Sequence, residues 1–251
     1  MWANGQGDFT LSAEQIHVWS ADLRATEAQV ARLRQLLSAD ERARADRYRF
    51  PRHKRRYTVA RGVLRQLLGQ YLGVAPVDIV FHTTKYGKPY VKAQVSGQVL
   101  QFNVSHSYEL ALFALNLGRR IGIDVEHRRR VIDLESVANH FFSAAEIETL
   151  LAAPTHAKQQ LFLNCWTRKE AYIKGLGEGL SHPLDTFEVS MKVGAPVCLL
   201  ADYTDPTAPQ RWQFYLLTPN MEYVAALAVE AKADERLQTV GAWQLSCWRW
   251  Q

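Results

Sequence analysis

Apolar positions along the chain switch between two spacings, and each switch marks a change of element. Residues 15–21 have strand character, whereas residues 27–37 place Val30, Leu33, Leu36 and Leu37 at helical intervals. Ser38-Ala39-Asp40-Glu41 reads as a helix start, an N-cap serine with an acid three residues on. Pro51 can open a further helix in which Tyr57, Ala60, Leu64, Leu67, Leu68 and Tyr71 recur at i+3/i+4, and Gly73 should end it. From Ile79 the pattern shortens to strands at 79–83, 101–105, 110–116 and 121–126, with turns at Lys85-Tyr86-Gly87-Lys88-Pro89 and Gly118-Arg119-Arg120. Helical spacing returns at 134–140, 144–151 and 157–176, and strands again at 186–191, 196–200, 211–217 and 223–229.

Helices followed by strands in each half predict an α+β protein of two lobes, residues 1–118 and 119–251. No Pro/Ser-rich linker separates them, so the lobes are expected to pack together with a ligand cleft between them. A length of 251 residues with 47% hydrophobic and 22% charged content is ample for a core and excludes disorder as the main state. The longest clean apolar run, 110–115, is far too short to span a bilayer. Residues 1–10 carry no Lys or Arg and no apolar stretch, so no secretory signal is expected. Cys165, Cys198 and Cys247 are odd in number and widely spaced, which fits neither a disulfide framework nor a zinc site. The expectation is a soluble, cytoplasmic protein.

Charge is uneven. Residues 42–65 hold ten Lys and Arg against one acid, Asp46, while the whole chain is only +5, so the remainder is net acidic. One segment therefore makes the chain basic and could bind an anion.

Candidate chemistry begins at Ile121-Gly122-Ile123-Asp124-Val125-Glu126. On a strand Asp124 and Glu126 share a face, where they repel unless a cation lies between them. Oxygen ligands of this kind suit Mg²⁺, and an edge strand with two solvated acids is the equal alternative. In Trp166-Thr167-Arg168-Lys169-Glu170-Ala171-Tyr172-Ile173-Lys174, Leu163, Trp166 and Ile173 suggest a buried stripe, with Glu170 and Lys174 together on another face. That pair could be a third ligand and a phosphate clamp, or a plain surface ion pair. Glycines at 175, 177 and 179 follow a helix rather than precede one, so Gly175 reads as a C-cap and not as a phosphate loop. Phe102-Asn103-Val104-Ser105-His106-Ser107 sets polar side chains at a strand end. There His106 could donate to a phosphate and Ser105 hold a base or ribose, or both could be structural. No GxSxG occurs, and His127, His140 and His156 lack zinc-ligand spacing.

Five segments in order resemble the Sfp-type 4′-phosphopantetheinyl transferases over about residues 38–190. They are Tyr86–Pro89, Phe102–Ser107, Gly122–Glu126, Phe141-Phe142-Ser143-Ala144-Ala145-Glu146 and Trp166–Lys174. The resemblance implies Mg²⁺-dependent transfer of phosphopantetheine from coenzyme A to a serine of an apo acyl or peptidyl carrier protein, releasing adenosine 3′,5′-bisphosphate. It implies a monomer of two pseudo-symmetric α+β lobes with the site in the cleft, and neither a nucleic-acid nor a membrane partner. By position, Asp124, Glu126 and Glu170 match the metal ligands (Mg²⁺, with Mn²⁺ possible), with Val125 offering only its carbonyl. Lys174 matches the lysine near the pyrophosphate. Gly87, Lys88 and Pro89 match the turn at the adenine end, and Asn103, Ser105 and His106 the segment around the nucleotide and its phosphates. Arg44 and Thr58 match groups for the 3′-phosphate. Glu170 is the candidate to take the serine proton, with Glu146 as the alternative. Arg128, Arg129 and Arg130 could form a basic rim for an acidic carrier, or a solvated charge run, and at least one of Phe141 and Phe142 is expected in the core. A Mg²⁺-dependent phosphodiesterase or nuclease would use the same carboxylates, with residues 42–65 on a nucleic-acid backbone. A non-catalytic nucleic-acid module would leave the acids without a task.

Overall fold

The computed structural model describes residues 2–4, 9–129, 131, 133–231 and 243–250. The first half runs β1 (Ala3–Asn4), β2 (Gln15–Asp22), α1 (Glu27–Gln35), α2 (Ala39–Asp46), α3 (Pro51–Leu72), β3 (His82–Thr83), β4 (Pro89–Tyr90), β5 (Gln94–Val95), β6 (Gln98–Ser107) and β7 (Leu110–Leu117). The second half runs β8 (Ile121–His127), α4 (Leu134–Phe141), α5 (Ala144–Leu151), α6 (Thr155–Leu176), β9 (Phe187–Val189), β10 (Leu199–Asp202), β11 (Trp212–Leu217), β12 (Tyr223–Glu230) and β13 (Gln244–Arg249).

Local sequence explains the helix ends. Ser38 with Glu41 and Ser143 with Glu146 form capping boxes that satisfy the first amides of α2 and α5. Pro51 sits in the first turn of α3, where its missing N–H costs nothing, and Gly73 ends the helix at φ 63°.

A six-stranded sheet in the order β1-β13-β2-β7-β6-β5 faces a three-stranded sheet, β11-β12-β8. Along β7, Ala111, Phe113, Leu115 and Leu117 pack on one core with Leu33 of α1 and Val59, Val63 and Leu67 of α3. Its alternate residues Leu110, Leu112 and Ala114 turn the other way and meet Ile121, Ile123 and Val125 of β8. Strand β12 repeats the device: Ala225, Leu227 and Val229 face the first sheet, and Val224, Ala226 and Ala228 join the core under α6. The result is four layers, helix–sheet–sheet–helix. Both central strands are buried on two faces, which is why they read as unbroken apolar runs.

Three sequence expectations change. The strand at 79–83 shrinks to His82–Thr83, and one turn of 3₁₀-helix at Pro76–Asp78 precedes it. Gly175 is not the cap of α6; Gly177 is, at φ 79°. Gly175 instead makes room, since a Cβ there would lie 2.6 Å from the Trp212 ring. Finally, β13 returns to the first sheet and runs parallel to β2, so residues 244–249 do not sit in the second lobe with the rest of 119–251. Among the described residues no helix is long and apolar enough to cross a membrane.

Candidate active site

One edge of β8 pairs with β12, setting Asp124 opposite Ala226 and Glu126 opposite Val224. The other edge is met by side chains of β6 rather than by a strand backbone. Asn103 Oδ1 accepts the Ile123 N–H at 2.9 Å, Ser105 Oγ the Val125 N–H at 3.4 Å, and Ser107 Oγ the His127 N–H at 3.2 Å. Residues two apart on β6 share a face, so Asn103, Ser105 and Ser107 form a ladder that satisfies an otherwise open edge. The same hydroxyls orient the acids: Ser105 donates to Asp124 Oδ1 at 2.8 Å, and Ser107 to Glu126 Oε2 at 2.7 Å.

Helix α6 lies against the face of β8. The approach is close enough that a Cβ on Gly122 would fall 2.0 Å from the Ala171 carbonyl oxygen and 2.3 Å from the Gly175 nitrogen. Glycine at 122 therefore fixes how near Glu170 and Lys174 come to Asp124. Lys174 Nζ donates to Asp124 Oδ1 at 2.5 Å and to Ser105 Oγ at 3.1 Å, and stands 3.9 Å from Glu170 Oε2.

The acids feel one another. Burial and the Asp124 and Glu126 charges push the Glu170 carboxyl up to about 7, against the pull of Lys174. Burial and Asp124 likewise raise Glu126, which the Ser107 hydrogen bond partly offsets. Burial works against the Lys174 ammonium, but Asp124 and Glu170 outweigh it and hold its pKa above the ordinary lysine value. Asp124 Oδ2 is buried without a hydrogen-bond partner. An unpartnered buried oxygen beside two carboxyls that resist ionising is a donor set a hard divalent cation suits. Among the described residues no group of three or more His, Cys, Asp or Glu is already gathered to hold a metal, and the Lys174 ammonium lies against Asp124 instead.

Gly87, Lys88, Pro89, Asn103 and Lys174 line one cavity of about 250 Å³, which collects the expected nucleotide-side residues from both lobes. Ser105 is buried with Asp124 behind it. His106 stands exposed on the alternate positions of β6. Partial desolvation of the ring, with the Lys174 and Arg56 cations, holds its imidazole below the usual value. On the far side of Glu126 an apolar groove of about 440 Å³ is lined by Val131, Val137, Phe162 and Trp166.

Other expected residues are placed differently. Thr58 is fully buried on α3 with no hydrogen-bond partner for Oγ1, and Arg44 is exposed with its guanidinium 5.3 Å from the Tyr57 ring. Neither makes a hydrogen bond or ion pair with Lys88, His106 or the acids among the described residues. Much of the 42–65 charge is neutralised internally: Arg61 and Arg65 pair with Glu41, Lys54 with Asp46, and Arg55 and Arg56 with Glu109. Glu146 is not a candidate base. It closes the α5 capping box, pairs with Lys169 at 2.7 Å and accepts the Val189 N–H at 2.8 Å, all in the core. Phe142 is buried, and Phe141 packs edge-on against Trp166 at 5.6 Å. Arg128 bonds to Gln160, Arg129 lies 6.0 Å over the Tyr108 ring, and Arg130 falls outside the described residues. Sequence reasoning missed Ser107 and Gly122 as parts of the site. The alternation Asn103-x-Ser105-x-Ser107 opposite an acidic strand was the available signal for the first.

Comparison with known proteins matches residues 120–228 to the 4′-phosphopantetheinyl transferase superfamily and residues 21–117 to the family described as 4′-phosphopantetheinyl transferase, N-terminal. The 4′-phosphopantetheinyl transferase HetI of Nostoc sp. strain PCC 7120 is 41% identical over 228 residues, covering 91% of this chain and 93% of its own. The 4′-phosphopantetheinyl transferase psf-1 of Bacillus pumilus is 30% identical over 219 residues, 87% of this chain and 91% of its own. The 4′-phosphopantetheinyl transferase Sfp of Bacillus subtilis strain 168 is 29% identical over 197 residues, 78% and 84% of the two chains.

Proposed function

The chain belongs to the 4′-phosphopantetheinyl transferase superfamily, and from that premise we propose how its own residues transfer phosphopantetheine from coenzyme A to a carrier protein. The observation that carries the reading is the contact of Lys174 with Asp124 beside Glu170, between the cavity at Lys88 and the groove at Trp166. The nucleotide end of coenzyme A lies in the cavity of Gly87, Lys88, Pro89 and Asn103, with its pyrophosphate at Lys174. The apolar groove beside Glu126 takes the pantetheine arm. Arg44, exposed on α2, serves the 3′-phosphate, whereas Thr58, fully buried on α3, offers it no accessible hydroxyl.

The carrier's serine oxygen attacks the β-phosphorus, a new P–O bond forms, and the bond to the α-phosphate oxygen breaks to release adenosine 3′,5′-bisphosphate. Serine is a poor nucleophile until its proton leaves, and a carboxylate placed at the reacting phosphate is the group to accept it. Glu170 is that group. Lys174 neutralises charge that builds on the pyrophosphate oxygens. Asp124, Glu126 and Glu170 would hold Mg²⁺, or Mn²⁺, which when bound supplies a Lewis acid for phosphate oxygens. One chain carries both walls of the site, β6 from one lobe and β8 with α6 from the other, so the reading is of a monomer whose lobes divide near residue 118. A phosphodiesterase reading of the same carboxylates finds no support among the relatives described.

The test is intact-protein mass spectrometry of an apo acyl carrier protein incubated with this protein, coenzyme A and Mg²⁺. The expected result is a gain of one phosphopantetheine that EDTA abolishes. A folded protein that binds coenzyme A yet modifies no acyl or peptidyl carrier would overturn the reading, and a gain undiminished by EDTA would overturn its metal part.

A further inference from the structure

We propose that Lys88 is a positioning residue: its ammonium fastens the nucleotide-side turn of one lobe to the acid-bearing strand and helix of the other, and does not bind coenzyme A. The inference rests on the reading that this turn faces the nucleotide. Lys88 Nζ donates to three backbone carbonyls across the lobe boundary, Lys174 at 2.6 Å, Ile121 at 3.0 Å and Gly175 at 3.3 Å. An ammonium has three N–H bonds, so these acceptors use its whole donor capacity.

The acceptors are apt. Carbonyls in the last turn of a helix lack partners within it and carry the negative end of its dipole, and residues 174 and 175 lie in the last turn of α6. Ile121 opens β8, on which Asp124 follows. A single half-buried cation therefore ties the start of the Asp124 strand to the end of the Glu170–Lys174 helix.

The lysine is also held at its own backbone. Its N–H donates to Thr84 Oγ1 at 3.1 Å, its carbonyl accepts the Thr84 N–H at 2.9 Å, and Gly87 closes the turn onto the Thr84 carbonyl at 2.9 Å. The stem runs past Gly177, where a Cβ would approach its Cδ to 3.3 Å. What this turn offers a planar base is backbone and aliphatic stem, with the charge committed elsewhere. Loss of the ammonium should leave nucleotide affinity nearly intact while loosening the register between turn, β8 and α6, and transfer chemistry is sensitive to misplacements of about 1 Å.

The experiment compares Lys88→Met, which keeps the stem, and Lys88→Arg with the unaltered full chain. Calorimetry gives the coenzyme A dissociation constant, saturating assays give kcat, and hydrogen exchange reports residues 121–126 and 171–177. For Lys88→Met the expected result is a dissociation constant within about threefold, kcat lower by about tenfold or more, and faster exchange in both segments. A loss of about tenfold in coenzyme A affinity with kcat unchanged, or unchanged exchange in folded Lys88→Met, overturns the proposal. Should Lys88→Met fail to fold, Lys88→Arg is read by the same criteria, because a planar fork cannot converge three donors as an ammonium does. If the unaltered protein transfers nothing to any carrier but the variants show the exchange change, the fastening stands and the functional reading falls.

Discussion

Ser107 donates its hydroxyl proton to Glu126 Oε2 at 2.7 Å and accepts the His127 N–H at 3.2 Å, so one residue of the first lobe sets both an acid of the second and the strand that carries it. Ser107→Ala removes both bonds and leaves a part-buried amide and a part-buried carboxyl oxygen unmet. The expected cost is about 1–3 kcal/mol of stability. Because Glu126 loses the bond that favours its ionised form, its carboxyl should titrate higher than in the unaltered chain. Denaturant unfolding checks the first and carboxyl titration by NMR the second. An unshifted Glu126 would show that the contact does not act on the acid.

Gly122 offers a harder test of the same interface. No rotamer relieves a Cβ placed 2.0 Å from the Ala171 carbonyl, so Gly122→Ala must push α6 off β8. Overpacking of a well-packed contact costs about 1–3 kcal/mol and at times more. Here the displaced groups include Glu170 and Lys174, so transfer should fall further than the shift in unfolding midpoint accounts for. Preserved kcat with a normal midpoint would mean the helix can yield without moving the site.

How much of this was legible beforehand follows from what sequence spacing can encode. The period of two in Asp124-x-Glu126 and the i,i+4 pair Glu170/Lys174 put each pair on one face, and in the structure Lys174 does meet Asp124. Spacing along one element says nothing about what lies across from it. That is why Asn103 and Ser105 suggest nucleotide contacts in the sequence and Ser107 suggests nothing, when all three meet the β8 amides first. Charge counting failed for a related reason: Arg61 and Arg65 look free in a basic run until Glu41, one residue outside it in sequence, pairs with both. Gly175 was misread because a glycine near a helix end suggests a cap, whereas the demand at 175 comes from Trp212, distant in sequence. Strand β13 was missed because its pairing with β2 joins the two ends of the chain.

Asp124 should be the least replaceable side chain. Its Oδ1 receives Ser105 and Lys174, and its Oδ2 faces no protein donor. Asp124→Asn keeps size and an acceptor for Lys174 but removes the charge. Transfer measured by carrier mass shift should drop by about 10²–10³-fold, the loss typical of removing one preorganised electrostatic group. The melting temperature should stay within a few degrees, since the neutral amide is cheaper to bury. Near-normal turnover would remove Asp124 from the chemistry.

Glu170 sets a pH dependence whose sign can be worked out. Its carboxyl titrates at about 7 in the folded chain against an ordinary 4.5, so between those values the folded protein holds a proton that the unfolded chain has released. Stability from this group therefore falls as pH rises from about 4.5 to about 7, and the full cost, on the order of 3 kcal/mol, is present above pH 7. Glu126 contributes in the same direction, and Glu41, whose pKa is lowered, in the opposite one, so the total slope is not diagnostic. The difference between the unaltered chain and Glu170→Gln is. With EDTA present, the variant should gain stability relative to the unaltered protein as pH is raised from 5 to 8, approaching that figure at the upper end. Denaturant unfolding at four or five pH values gives the curve directly. Parallel curves for the two proteins would mean that Glu170 is solvated well enough in the metal-free chain to ionise normally, and that burial and the neighbouring acids do not hold its proton.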